Sequence, residues 1–185
     1  CGAGVVTQQL QEYAAAHDLF YPVDFASSGS SQIGGNISTN AGGIKVIRHG
    51  MTRDWVAGLK LVNGNGELLD LNRGLVKNNA GYDLRHLVIG AEGTLGVVVE
   101  ATMRLSRPPQ ELVVLVLGVP DMASIMHVLR TYQQSMELSA FEFFSELALQ
   151  KVIHTRTCND PSRRLLNFMR CWNSKCAMRK LVSRP

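Results

Sequence analysis

The sequence has few cysteines, few aromatic residues and no long apolar run. Only four of its 185 residues are cysteine, and aromatic residues make up 6%. No stretch reaches the roughly 18 consecutive apolar residues of a membrane-spanning helix, so we expect no transmembrane segment. Residues 2–157 contain no cysteine, and the spacing of Cys158, Cys171 and Cys176 does not match a structural zinc site. This distribution predicts a protein of a reducing compartment, the cytoplasm, with no metal site.

Positive charge is concentrated at the C-terminal end of the chain. The formal net charge is +4, but residues 156–185 hold eight basic residues against Asp160 alone, so they carry +7 and the remainder carries −3. A basic tail can bind nucleic acid or anionic lipid. The alternative, which we favour, is a solvated or unrelated end, so we expect no nucleic-acid partner.

Apolar periodicity predicts a first structural unit of mixed helix and strand. A helix is expected over residues 7–17, and strands 56–62 and 67–71 flank an Asn-Gly-Asn-Gly turn typical of a hairpin. A short buried run is expected at residues 87–89 and a further strand at 96–105. Pro108-Pro109 then ends the unit, because proline cannot donate to a strand ladder.

A second unit of alternating strands and helices is predicted after these prolines. Strand 111–119 precedes a helix that Asp121 caps, and strand 138–143 precedes a helix that begins at Ser145. This order indicates an α+β sheet with its helices on one face.

The stretch between Asp24 and Lys45 contains no charged residue and is rich in glycine, serine and asparagine. Its core is GGNISTNAGG, residues 34–43. Glycine pairs let backbone N–H groups approach a ligand, and successive amides in turns form anion-binding sites. We therefore predict an irregular ligand-binding loop that faces the motif at Glu92; a plain surface turn is the alternative.

Two further motifs follow, and the three together resemble a known family. They are NNAGYDL at residues 78–84 and GAEGTLGVVVEATMRL at residues 90–105. In this order and spacing, the motifs resemble the FAD-binding domain of the vanillyl-alcohol-oxidase and p-cresol-methylhydroxylase (PCMH) superfamily. The branch they resemble most is the FAD-linked D-2-hydroxyacid dehydrogenases and oxidases, which act on D-2-hydroxyglutarate, D-lactate or glycolate. The resemblance covers about residues 2–155.

The resemblance implies an α+β fold in three parts. Residues 1–108 would be the second part of a PCMH-type FAD-binding domain whose N-terminal subdomain is missing. Residues 109–155 would begin an α+β cap domain that binds substrate. Residues 156–185 would be a basic tail that is disordered or non-native.

The resemblance also implies which residues bind FAD. The pyrophosphate and isoalloxazine would lie along residues 27–32 and 39–42, and the adenosine and ribityl portions beside residues 92–98. The expected contacts are Ser27, Ser28, Gly29, Ser30, Ser31, Gln32, Gly34, Gly35, Asn36, Thr39, Asn40, Ala41, Gly42, Glu92, Gly93, Thr94, Leu95, Gly96, Val97 and Val98. No catalytic base and no metal ligand can be assigned, since the five histidines lie scattered along the chain.

By the same resemblance, the parent protein would oxidise a D-2-hydroxyacid to the 2-oxoacid, with hydride transfer to flavin N5. The electron acceptor would be a quinone, an electron-transfer flavoprotein or another subunit. Because half of the family's FAD-binding domain and its substrate-binding histidines are missing, we expect this chain alone to bind FAD weakly and to be inactive. Two alternatives remain: a non-catalytic FAD-domain fragment, or another superfamily member such as an alkyl-dihydroxyacetonephosphate-synthase-like or sugar-acid oxidase.

Overall fold

The computed structural model describes residues 1–72, 74–110 and 112–151, and the backbone of residues 152–155 and 176–183. The chain divides into two units, Cys1–Pro109 and Gln110–Pro185. The division falls beside Pro108-Pro109, and the strands on either side of it belong to different sheets. Among the described residues, no helix combines the length and the apolar character needed to cross a membrane.

The first unit consists of five helices and one three-stranded sheet. The helices are α1 (Thr7–Ala15), α2 (Ile33–Ser38), α3 (Val46–His49), α4 (Thr52–Trp55) and α5 (Arg85–Val88). The strands are β1 (Val56–Val62), β2 (Leu68–Leu71) and β3 (Val97–Met103). They form an antiparallel sheet in the order β2-β1-β3.

The core of the first unit lies between this sheet and helices α1 and α2. Successive side chains of a strand point to opposite faces, so β1 buries Leu59 and Leu61 while Lys60 faces outward. In register with Lys60 stand Asp70 on β2 and Glu100 on β3. Helix α2 contributes Ile33 and Ile37, which have no exposed surface.

Within its described residues, the second unit contains a three-stranded sheet and two helices. Its elements are β4 (Leu112–Val119), α6 (Met122–Ser135), β5 (Leu138–Ser145), α7 (Glu146–Thr155) and β6 (Cys176–Ser183). Strand β6 lies between β4 and β5 and is antiparallel to both. The Asp121 side chain accepts a hydrogen bond of 2.8 Å from the Ser124 amide, which confirms the predicted helix cap.

The structure differs from the sequence prediction at α2. Residues 34–43 were predicted to have little regular structure, but residues 34–38 belong to a helix. Composition misled here, because Ile33 and Ile37 stand four residues apart and bury the same helix face despite the intervening glycines. The predicted proximity to the Glu92 motif is confirmed, since the Glu92 amide donates to the Ser38 carbonyl at 2.9 Å.

Two further segments differ from expectation. The predicted buried run at 87–89 is divided between α5 and the residue after it, with Leu87 63% exposed and Ile89 buried. The tail was predicted to be disordered or non-native, but residues 176–183 pair along their length with β4 and β5. In this strand Arg179 is in register with Glu142. The high positive charge of the tail was therefore no evidence against a strand. The rest of the tail, residues 156–175 and 184–185, lies outside the described residues.

Candidate functional site

A cleft of about 310 Å³ opens in the first unit, where α2 meets the segment before β3 and the N-terminal residues. It is lined by Ala3, Gly4, Gln32, Gly34, Gly35, Ser38, Gly93, Gly96, Val97 and Val98. Both glycine motifs therefore contribute to one surface. Seven of these ten residues were predicted as FAD contacts; Ala3, Gly4 and Ser38 were not, although the Gly-Ala-Gly run at residues 2–4 offered a signal.

Backbone hydrogen bonds hold the three walls of the cleft together. The Ala3 amide donates to the Val99 carbonyl at 3.0 Å, and the Gly34 amide donates to the Ala3 carbonyl at 2.8 Å. The Glu92 amide reaches the Ser38 carbonyl on the far side of α2. The relative positions of the three walls are thus set by main-chain hydrogen bonds and depend little on side-chain rotamers.

Two of the lining glycines are required by packing. A Cβ at Gly34 would come within 2.7 Å of the Ala3 Cβ, so α2 could not approach the N-terminal segment with a larger residue there. Gly96 has φ +147, and its Cβ would lie 2.5 Å from the Val62 carbonyl oxygen. These residues shape the cleft without offering it a free group.

Three other lining glycines face no steric conflict, although Gly93 has φ +81, a backbone conformation that itself favours glycine. A Cβ at Gly4, Gly35 or Gly93 would meet no atom within 4 Å, so each leaves open space. Within the described part of the chain, the amides of Gly35 and Gly93 have no protein acceptor. Both residues are exposed, so their amides are open to water or to a ligand, and the missing side chains leave a ligand room to approach.

These features fit FAD, which joins an anionic pyrophosphate to flat ring systems. The free amides can donate to phosphate oxygens, as in other backbone anion sites. The half-exposed Leu95 and the exposed Val97 offer apolar contact to a ring beside them. None of the described residues that line the cleft is charged, so recognition would come from the backbone.

The side chains of several predicted contact residues form hydrogen bonds within the protein. Asn36 Nδ2 donates to Thr7 Oγ1 at 2.7 Å, and Ser31 Oγ lies 2.8 Å from the same oxygen. Thr39 and Thr94 bond back to main-chain carbonyls of their own turns, at residues 35 and 91.

The remaining predicted contacts lie outside the cleft lining. Asn40 Oδ1 accepts from the Arg53 amide, and the Ala41 carbonyl accepts from Thr52 Oγ1, so this end of the motif attaches to α4. The serines at 27–30 form a turn in which the Ser27 carbonyl accepts the Ser30 amide at 2.9 Å. Gly29 and Gly42 face Gln8 Oε1 and the Val46 side chain respectively.

Sequence reasoning missed two arginines that organise the region beside the cleft. Arg85 is buried and donates to the carbonyls of Val56 at 2.7 Å and Ala57 at 2.6 Å. It also pairs with Asp83, and this guanidinium holds the pKa of the Asp83 carboxyl below its usual value. Arg53 bonds to the segment just before Gly90. Neither residue belongs to a recognisable motif.

One histidine near α3 has a shifted pKa. Burial lowers the pKa of His49, and the neighbouring charges of Arg48 and Lys45 lower it further. Its ring lies 5.9 Å from that of Phe20 and 6.2 Å from that of Trp55, measured between centroids. Across the described residues, no three His, Cys, Asp or Glu side chains are grouped so as to hold a metal ion.

Comparison with known proteins agrees with this geometry. A family model described as the FAD binding domain matches residues 1–72. Over 153 residues, 83% of the chain, the sequence is 67% identical to D-2-hydroxyglutarate dehydrogenase of Stutzerimonas stutzeri. It is 38% identical over 154 residues to the mitochondrial D-2-hydroxyglutarate dehydrogenase of Rattus norvegicus, and 35% identical over 150 residues to D-lactate dehydrogenase of Archaeoglobus fulgidus.

A solved structure shows the same fold at lower identity. A crystal structure of alkyldihydroxyacetonephosphate synthase matches all of this chain and 34% of its own, with a TM-score of 0.80 and 21% sequence identity. The α+β fold of PCMH-type proteins is thereby confirmed. FAD is the cofactor of the matched domain. The chain spans about a third of the length of the curated relatives it matches, and over that span it is similar to FAD-linked D-2-hydroxyacid dehydrogenases.

Proposed function

We propose that the cleft between α2 and the 93–98 segment binds FAD, and that the protein serves the oxidation of a D-2-hydroxyacid to the 2-oxoacid. D-2-hydroxyglutarate is the preferred candidate substrate, because the relatives at 67% and 55% identity are both D-2-hydroxyglutarate dehydrogenases. The observation that carries the proposal is that the free amides of Gly35 and Gly93 lie where both motifs meet, beside the open space that Gly4 and Gly35 leave.

Each part of the cleft would have a separate task. The amides of Gly35 and Gly93 would donate to pyrophosphate oxygens, and Val97 and Leu95 would contact the face or edge of a ring. Gly34 would let α2 pack closely against the N-terminal segment, and Gly96 would let the turn before β3 pack closely against the end of β1. Bound FAD supplies the hydride acceptor, while the protein orients it and excludes water. We assign no substrate base to these residues.

Two further parts of the proposal concern the surroundings of the enzyme. The electron acceptor would be a quinone, an electron-transfer flavoprotein or another subunit. The compartment would be the cytoplasm, in keeping with the scarcity of cysteine in residues 2–157.

A transplant tests the function. The 153 matched residues of this chain replace their counterparts in the Stutzerimonas stutzeri D-2-hydroxyglutarate dehydrogenase, which supplies the remaining two thirds. We expect the hybrid to purify with a flavin absorption spectrum and to reduce an artificial acceptor with D-2-hydroxyglutarate. D-Lactate and glycolate are assayed in parallel to rank the substrates.

The matched control is the same hybrid with Gly35→Ala, which places a methyl group in the cleft. We expect this variant to fold and to bind flavin about tenfold more weakly. A folded hybrid without flavin, or one that retains flavin equally with Gly35→Ala, would contradict the proposed site. A hybrid that carries flavin but oxidises none of the three acids would contradict the proposed reaction only.

A further inference from the structure

Arg53 bonds to the first glycine motif and to residues just before the second, although it belongs to neither. Its backbone amide donates to Asn40 Oδ1 at 3.0 Å, within the GGNISTNAGG motif. Its guanidinium donates through Nη2 to the Ile89 carbonyl at 2.8 Å, and through Nη1 to the His86 carbonyl at 3.1 Å. One residue of α4 therefore spans the space between the two motifs.

These bonds secure the start of the turn that forms one wall of the cleft. Ile89 directly precedes Gly90, whose amide donates to the Ile37 carbonyl at 3.0 Å. The Glu92 amide bonds to the Ser38 carbonyl two residues later. Gly90 has φ +87, and its missing side chain leaves the Arg53 guanidinium 3.5 Å from the position of a Cβ. Arg53 thus packs directly against the backbone that leads to Gly93.

The geometry suits arginine specifically. Its planar fork reaches two carbonyl oxygens at once and stays charged at every physiological pH. Nη1 also lies 3.0 Å from His86 Nδ1. His86 Nε2 lies 3.6 Å from Asp83 Oδ2, so the ring stands between Arg53 and the pair formed by Asp83 and Arg85.

We propose that Arg53 is a positioning residue for the cofactor: it clamps the 90–96 turn against α2 and so sets where the Gly93 amide stands in the cleft. This inference rests on the proposed FAD site. Arg53 itself is absent from the cleft lining, so it acts through the backbone it holds. A lysine would keep the charge and lose the fork, and we expect it to be a poor substitute.

The first test measures amide hydrogen exchange by NMR on the complete 185-residue chain without FAD. We expect Arg53→Met and Arg53→Lys to accelerate exchange at Gly90 and Glu92 about tenfold, because charge-assisted bonds next to both amides are lost. The amides of Leu59 and Leu61 in β1 should keep their rates. Arg107→Met, which alters an exposed arginine of the same unit, is the matched control and should change neither set.

Unchanged exchange at Gly90 and Glu92 would overturn the proposal. So would a uniform acceleration that includes β1, because that result describes general destabilisation and no local clamp.

The second test titrates FAD into the hybrid enzyme with and without Arg53→Met, after the flavin has been stripped. We expect a loss of affinity of about tenfold and an altered visible circular dichroism of the bound flavin. Equal affinity and an identical spectrum, despite faster exchange at Gly90, would overturn the positioning role. If the unmodified hybrid binds no FAD, the proposed function fails, whereas the exchange pattern still decides whether Arg53 holds the turn.

Discussion

Asn36 Nδ2 donates a hydrogen bond of 2.7 Å to Thr7 Oγ1 in the interior of the first unit. Thr7 has no exposed surface, and Asn36 is 5% exposed. The same hydroxyl lies 2.8 Å from Ser31 Oγ, so α1, α2 and the serine turn meet at one oxygen. The central asparagine of the glycine motif therefore fixes the helix that forms a wall of the cleft.

We predict that Asn36→Ala lowers the free energy of unfolding by about 0.5–1.5 kcal/mol, since it removes one buried hydrogen bond. Urea denaturation measures the change. The control is the exposed Asn78: Asn78→Ala removes a hydrogen bond of the same length, 2.7 Å, to Asn72 Oδ1 and one of 3.2 Å from the Ala80 amide. The control should change stability by less than about 0.5 kcal/mol. Equal losses would show that the Asn36 bond has no special structural role.

The second prediction separates backbone strain from steric conflict at Gly96. Gly96 and Gly66 both have positive φ, +147 and +82, but a Cβ at Gly66 meets nothing within 4 Å while one at Gly96 meets the Val62 carbonyl oxygen. Gly66→Ala should cost about 1 kcal/mol or somewhat more, the usual penalty of that backbone region. Gly96→Ala should cost clearly more, because backbone must move as well. Thermal unfolding of the two variants compares them, and similar melting temperatures would refute the close approach.

The third prediction is a pH dependence that His49 introduces. Its pKa is lowered from the ordinary value of 6.5, so the unfolded chain binds this proton more readily than the folded one. The free energy of unfolding should therefore be highest above pH 6.5. It should decline as the pH falls from 6.5 toward the lower pKa that His49 has in the folded protein. His49→Gln should flatten the decline in urea-denaturation series over this range. His127→Gln, at an exposed site of α6, should leave the slope unchanged; a slope that survives His49→Gln would contradict the assignment.

The sequence predicted the sheet of the first unit well, because its signals are local. The Asn-Gly turn and the alternation of Leu59, Lys60 and Leu61 determine strand, register and buried face together. Helix α2 was missed because its evidence is tertiary. Gly34 and Gly35 weaken any helix by themselves, and only the burial of Ile33 and Ile37 stabilises it.

The candidate site was likewise predicted only where the signal is local in the sequence. The motifs predicted Gly35, Gly93 and Val97, which do line the cleft. They gave no means of separating those residues from Asn36 or Ser31, whose side chains are used inside the protein. Arg53 could not be found from the sequence, because the main-chain carbonyls that its side chain binds lie 33 and 36 residues farther along the chain.

The most direct test of the account is an NMR titration of the 185-residue chain with FAD, which detects even weak binding. We predict that the amides of Gly35 and Gly93 show the largest shift changes, and that Gly35→Ala weakens binding about tenfold. The same substitution should not reduce stability, since alanine favours a helix by about 1 kcal/mol over glycine. Gly64→Ala, another site where a Cβ meets nothing, serves as the control and should bind like the unmodified chain. Unperturbed Gly35 and Gly93 amides at saturating FAD, or equal affinity of Gly35→Ala, would contradict the assignment of the cleft.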